Sequence, residues 1–341
     1  MQVTVLYGER DVRLEDRPDP TIIESTDAVI RLPFTCICGS DLWPYRGIQA
    51  VAAPAPMGHE YCGFVEEVGS NVTSVEPGDF VIGSFFASDN TCPHCRHGYQ
   101  TSCEHKTPVA GAQAPRLRVP LADGTLVATR DVPDADLIPS LLALSDVMGT
   151  GWFAAEAANV NRGSTVVVVG DGAVGLLGVL SAKQMGAGRI IAMSRHDARQ
   201  KLAREFGATD IVTERGDEGV ERITQLTNGV GADSVLECVG TQESMMQAIK
   251  SARPGGSVGY VGVPHGVTLD GANLFFRHVR LLGGPAPVRR YLPQLIDLVF
   301  AGTINPGKVF DLVLPLDQVA EGYRAMDERR AIKTLLRPSG N

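Results

Sequence analysis

The residues best suited to chemistry begin with Met57-Gly58-His59-Glu60-Tyr61-Cys62-Gly63. They follow Ala53-Pro54-Ala55-Pro56, a segment too proline-rich to be helical, and lead into an apolar, β-branched run that ends at Val68. Imidazole is a common zinc ligand, and an adjacent carboxylate can ligate, orient or exchange with water on the ion. Upstream, Cys36-Ile37-Cys38-Gly39-Ser40-Asp41 lies between a strand and a loop, where Cys38 offers a thiolate. A catalytic zinc keeps one position open for substrate, so Cys38 and His59 need a third donor.

A second group is Asp89-x2-Cys92-x2-Cys95-x7-Cys103. Three of the seven cysteines fall there, and in a cytosolic chain such spacing points to metal rather than to disulfides. His94, His97 and His105 lie near enough to substitute as ligands but read as solvated; Cys36, Cys62 and Cys238 sit in apolar strands and read as core. A third group is Gly170-x-Gly172-x-x-Gly175, with Ala173 and Val174 inside it. It follows the β-branched strand Thr165 to Val169 and opens a helix, the context in which such a loop cradles a dinucleotide pyrophosphate. An NAD-binding chain carries Asp or Glu at the end of the next strand, whereas this one reads Met193-Ser194-Arg195-His196, with Arg199 a turn later. Guanidinium groups fork onto phosphate oxygens, so Ser194, Arg195 and Arg199 point to the 2′-phosphate of NADP(H). The plainer reading makes Arg195 an exposed helix-start residue.

The elements that must position these groups fall into two kinds. From Val3 to about Arg130, short apolar runs are broken by Gly, Pro and Asp, as at Ala28 to Leu32, Tyr61 to Val68 and Phe80 to Phe86, which predicts a β-rich domain. Beyond Ser140 strands and helices alternate through Ser257 to Val261, which predicts a parallel, doubly wound α/β sheet. After about Phe276 the pattern blurs, with helices expected at Tyr291 to Ala301 and Leu316 to Met326 and a last strand at Ile332 to Leu336. A length of 341 residues suffices for two cores, and a net charge of -8 argues against nucleic acid or an anionic membrane as main partner. Charges at Glu9, Arg10, Asp11 and Arg13 interrupt any signal-peptide core, and no run reaches the roughly 18 apolar residues of a membrane span. The expectation is a soluble, cytoplasmic protein.

Gly58-His59-Glu60-x2-Gly63-x5-Gly69-x2-Val72 is similar, position by position, to the zinc signature of the medium-chain alcohol dehydrogenases. The resemblance covers nearly the whole chain. It implies a GroES-like catalytic domain (1–149), an inserted Rossmann cofactor domain (150–276), a tail (277–341) that returns to the first domain, and substrate in the cleft between them. The family's third ligand precedes a Thr-Gly pair, here Thr150-Gly151, which makes it Asp146. Cys38, His59 and Asp146 thus resemble the Cys/His/Asp set of bacterial secondary-alcohol dehydrogenases, with Glu60 the exchanging carboxylate and Ser40 the hydroxyl that takes the alcohol proton. Singly, Cys38 also reads as core filler and Asp146 as a helix cap. Asp89, Cys92, Cys95 and Cys103 match the structural-zinc lobe with Asp for the first Cys; a metal-free loop is the alternative there. By the same resemblance Thr150, Val239, Val261 and Val263 face the nicotinamide.

Two departures stand out. Many relatives have a proton-passing His five residues after the ligand Cys, where this chain has Trp43, so the relay is expected to end at the cofactor ribose or water. The stretch Gly111-Ala112-Gln113-Ala114-Pro115-Arg116 replaces an acidic-aromatic step, and nothing in the sequence explains it. Trp43, Phe85 and Trp152 lean toward an apolar pocket for secondary or aromatic alcohols. The expected activity is reversible, zinc-dependent hydride transfer between such a small-molecule alcohol and NADP+, in a homodimer or homotetramer joined through the helical face around Glu156 or the strand near Arg280. The rivals are a zinc-free quinone or enone reductase on the same fold and a non-catalytic NADP(H)-sensing protein.

Overall fold

β-Branched runs whose side chains are apolar on both faces can only be buried on both faces, and Thr165–Val169 is such a run, with Val166, Val167 and Val168 wholly inaccessible. In the computed structural model, which describes residues 1–338, it lies inside a six-stranded parallel sheet. The strand order is Asp210–Val212, Arg189–Met193, Thr165–Val169, Ala232–Glu237, Ala252–Tyr260 and Arg280–Gly283. The order reverses beside Thr165–Val169, and such a switch point opens a crevice at the carboxyl ends of the strands. Helices Ala173–Gln184, Asp197–Phe206, Gly216–Leu226 and Gln242–Ser251 link the strands. The last starts with a capping box in which Thr241 and Ser244 exchange side-chain and backbone bonds. Arg280–Gly283 pairs with Ser257–Tyr260, which carries the sheet past residue 276. Its four residues alternate between exposed and half-buried, too weak a pattern to stand out in the sequence.

The described chain divides into two compact units: Met1–Asp146 with the residues from Pro287 onward, and Val147–Ala286. In the first, the strand Ala28–Cys36 organises the pairing. Its first half lies between Arg116–Val119 and Tyr61–Val68, whereas its second half exchanges Arg116–Val119 for the chain's last strand, Thr334–Arg337. The hand-over falls at Pro33, which lacks an N–H to keep a continuous ladder, and the register shifts between Arg31 and Phe34. Cys38 therefore emerges from a strand end gripped on one side by the strand Tyr61–Val68, which follows His59 and Glu60, and on the other by the tail. An apolar core around Ile37 gathers Leu6, Met57, Leu316, Tyr323 and Leu336 beneath this point. Among the described residues no single helix is long and apolar enough to cross a membrane.

Candidate active site

Three separate local structures deliver donors to one place in the first unit. Cys38 follows the strand Ala28–Cys36 and precedes a single 3-10 turn, Gly39–Asp41. His59 precedes the strand Tyr61–Val68, and Asp146 sits in the break between helices Ile138–Leu144 and Val147–Ala157. Cys38 Sγ lies 3.3 Å from Asp146 Oδ2, and His59 Nε2 lies 3.2 Å from the same oxygen. Ligand atoms of Cys38, His59, Glu60 and Asp146 all fall within 4.8 Å of one another. Ser40 Oγ is 3.4 Å from His59 Nε2, and the Phe85 ring stands edge-on to the imidazole at 6.2 Å. Trp43 is half-buried on the short helix after Cys38, and Trp152 is buried in the second unit.

The electrostatics suit a bound cation. Burial, then the negative Asp146, push the Cys38 thiol up to about 11. Burial also raises Glu60, against the opposing pull of Lys333. Burial alone would lower His59, but Asp41 and the Asp146 hydrogen bond hold it well above the usual imidazole range. A thiol, an imidazole and a carboxylate brought within bonding range of one point, each deprotonated when metal-bound, form the donor set of a catalytic zinc site. The residues fit the ion.

Three contributors escaped the sequence reading. Asp41 accepts a hydrogen bond from the Cys38 backbone N–H at Oδ2 (2.9 Å) and places Oδ1 3.3 Å from His59 Nδ1, so one carboxylate steadies two donors. Lys333, fully buried at the foot of the last strand, donates to Glu60 Oε1 at 2.5 Å and to the Ile37 carbonyl at 3.2 Å. Among the described residues Glu60 Oε2 has no hydrogen-bond partner. Gln113 supports Asp41 from behind. Asp41 carried a signal, since it lies in the Cys38 loop; Lys333 and Gln113 reach the site only through the fold.

The cysteine lobe also closes. Cys92, Cys95 and Cys103 form a buried cluster of their own, and Asp89 offers a carboxylate within 4.8 Å of their sulfurs. Asp89 Oδ1 accepts from the N–H groups of Thr91 and Cys92, while His105 Nδ1 is 2.7 Å from Oδ2. His105 therefore touches the cluster through Asp89, while His94 and His97 are exposed. Three thiols without other apolar company fit a closed structural zinc site.

In the second unit the glycine-rich loop leaves the central strand at the switch point. Gly170 has φ +118°, and a Cβ on Gly175 would lie 2.0 Å from the Gly170 carbonyl oxygen, so the loop needs glycine at both. Ala173 and Val174 open the following helix. Ser194 is buried at the end of the neighbouring strand, Arg195 is exposed and donates to the Thr213 carbonyl, and Arg199 is buried and donates to the Asp171 carbonyl at 3.1 Å. Asp171, inside the loop, accepts from Ser194 Oγ at 2.8 Å and pairs with Arg199 at 3.6 Å. Arg215 also reaches this strand end, donating to the Met193 carbonyl. The sequence pattern gave no hint of Asp171 or Arg215. Val239, Val261 and Val263 follow the ends of the neighbouring strands, and Thr150 lies buried on Val147–Ala157. Glu237 fixes the Val239-Gly240 turn by accepting both backbone N–H groups.

A β-rich unit with a Cys/His/Asp cluster and a parallel sheet with a glycine-rich loop together point to a zinc-type dehydrogenase, and comparison with known proteins agrees. Residues 24–139 match the alcohol dehydrogenase GroES-like domain and residues 173–301 the zinc-binding dehydrogenase domain. The chain is 33% identical to zinc-type alcohol dehydrogenase B of Aspergillus flavus, over 99% of this chain and 81% of that protein. Among solved structures, alcohol dehydrogenase TADH from Thermus sp. ATN1 superposes with a TM-score of 0.90 at 30% identity, covering 99% of this chain and 100% of that one. Zinc-dependent alcohol dehydrogenase 2 from Streptococcus pneumonia gives 0.91 at 28%, covering 100% and 99%. The chain belongs to the zinc-dependent medium-chain dehydrogenase/reductase family, oxidoreductases that use zinc and a nicotinamide cofactor.

The buried Lys333–Glu60 pair sets a first prediction. Lys333→Met strands a buried carboxylate and is expected to lower unfolding free energy by about 3–5 kcal/mol, whereas Lys333→Met/Glu60→Gln recovers most of the loss. Denaturant titration of the three proteins checks this. For the cysteine lobe, Cys95→Ala is expected to remove one equivalent of zinc per chain by elemental analysis while leaving the other in place.

Proposed function

We propose that this protein is a zinc-dependent alcohol dehydrogenase that transfers hydride reversibly between a secondary or aromatic alcohol and NADP+, giving a ketone or aldehyde. The observation that carries the reading is the convergence of Cys38 Sγ and His59 Nε2 on Asp146 Oδ2, at 3.3 and 3.2 Å, with these ligand atoms and that of Glu60 all within 4.8 Å of one another. These three residues would hold the catalytic zinc. Asp89, Cys92, Cys95 and Cys103 would hold a structural one. Bound at the first site, zinc acts as a Lewis acid that lowers the pKa of an alcohol. Ser40 Oγ, beside His59, is placed to take the alcohol's proton. Glu60 has one oxygen held by Lys333 and the other without a hydrogen bond among the described residues, which supports reading it as the carboxylate that exchanges with water. The Phe85 ring beside His59 supports an apolar wall, which Trp43 on the short helix after Ser40 would extend, and such a wall would favour secondary and aromatic alcohols.

Arg195, Arg199 and Arg215 around Ser194 support a 2′-phosphate and hence NADP(H). Asp171 favours a second reading, NAD(H): its carboxylate lies against Ser194, where a ribose hydroxyl could donate to it. In the NADP reading Arg199 and Ser194 occupy that carboxylate instead. Thr150, Val239, Val261 and Val263 would contact the nicotinamide. We place the protein in the cytoplasm on its seven free cysteines, and as a homodimer or homotetramer joined through the edge strand Arg280–Gly283.

Oxidation of NADPH against a panel of ketones and aldehydes, with NADH in parallel and a chelator-treated control, tests the proposal. Turnover should favour NADPH and vanish with the metal. Arg195→Ala should raise the KM for NADPH about tenfold, the equivalent of roughly 1.4 kcal/mol, and leave the KM for NADH nearly unchanged. Equal effects on both cofactors would remove the 2′-phosphate assignment.

A further inference from the structure

The stretch Gly111-Ala112-Gln113-Ala114 has no part in the mechanism above, yet it lies directly behind the metal ligands. The loop is stitched to the histidine segment by backbone bonds: Gln113 N–H donates to the Met57 carbonyl and Ala112 N–H to the Gly58 carbonyl, each at 3.1 Å. Gly58 has φ +90°, and a Cβ there would sit 2.6 Å from Gln113 Cγ, so the approach of the two segments admits only glycine next to His59. Gln113 itself is fully buried.

Its side-chain amide is read unambiguously from its neighbours. On one side stand two acceptors, the Cys36 carbonyl at 3.1 Å and Asp41 Oδ2 at 3.3 Å, which only the NH2 end can satisfy. On the other side Tyr323 OH, also fully buried, donates to Oε1 at 3.2 Å. Asp41 in turn accepts the Cys38 N–H and faces His59 Nδ1. A continuous buried relay therefore runs from Tyr323 through Gln113 and Asp41 to two of the three metal donors. Each member fixes the next, and a buried polar network of this kind is rigid when every group is satisfied.

Resting on the zinc reading of Cys38, His59 and Asp146, we infer that Gln113 is a positioning residue of the metal centre: it holds Asp41 in the one orientation that steadies both Cys38 and His59. Glutamate has the same shape as glutamine but carries no amide donor, and at this position it would set a carboxylate against Asp41. Outer partners of metal ligands commonly govern metal affinity by about 10–100-fold. Gln113→Glu is therefore expected to speed zinc transfer to a chromophoric chelator at least about tenfold, and to shift the visible bands of the cobalt-substituted protein. In an Asp41→Asn background, where no second carboxylate faces the introduced one, the same change should alter zinc transfer less than it does in the wild-type background, because contacting residues are coupled.

The test compares wild type, the two single variants and the double variant, with Tyr323→Phe as a milder probe. That last change removes only the hydroxyl from the amide's far end and should move both readouts the same way. Unchanged zinc transfer and cobalt bands in Gln113→Glu overturn the inference while leaving the zinc reading intact. An equal penalty from Gln113→Glu in the wild-type and the Asp41→Asn backgrounds does the same, since it would make Gln113 mere packing. Wild-type protein that takes up no ion on Cys38, His59 and Asp146 after incubation with zinc overturns the zinc reading and the inference together.

Discussion

A crowd of buried acidic groups is the constraint on which the first unit depends. Cys38, Asp41, Glu60 and Asp146 are each less than a tenth exposed, and they crowd one imidazole. Taking ionised groups out of water is tolerable only when each is paired or metal-bound. Lys333 answers for Glu60, and the N–H of Cys38, the amide of Gln113 and the imidazole of His59 answer for Asp41. Cys38 and Asp146 meet each other instead, thiol against carboxylate. A divalent cation between them would pair with both and would demand a fixed donor geometry.

The fold meets that demand with elements that are individually ordinary. A proline in the strand Ala28–Cys36 ends one strand partnership and lets the chain's tail take its place, which brings Lys333 under Glu60. The break between two helices leaves Asp146 free to turn inward, and Ser145 anchors the break by accepting from the Tyr61 N–H. The second unit applies the same economy. A parallel sheet whose order reverses at its centre needs only a glycine loop and a helix N-terminus to offer a phosphate site.

Much of this was legible in the sequence wherever the signal was local. Cys38, His59 and Glu60 stand next to strand ends and glycines, and the β-branched run before Gly170 marks both the strand and the loop. The strands and helices between Thr165 and Ser251 fall where the alternation placed them, because hydrophobic period and turn residues agree there. What the sequence hid was long-range. Lys333 meets Glu60 across 273 positions and Tyr323 meets Gln113 across 210, distances over which no spacing rule operates. Asp171 was hidden differently: inside a glycine-rich motif it reads as filler, and only the sheet brings it to Ser194. Within the odd stretch 111–116, Gln113 meets Asp41 only through the fold.

X-ray diffraction with data on both sides of the zinc absorption edge tests the central claim most directly. An anomalous peak is expected, bonded to Cys38 Sγ, His59 Nε2 and an Asp146 oxygen at the roughly 2.0–2.3 Å distances of zinc with such ligands. Crystals grown with zinc that showed no peak there, with Cys38 still hydrogen-bonded to Asp146, would contradict it.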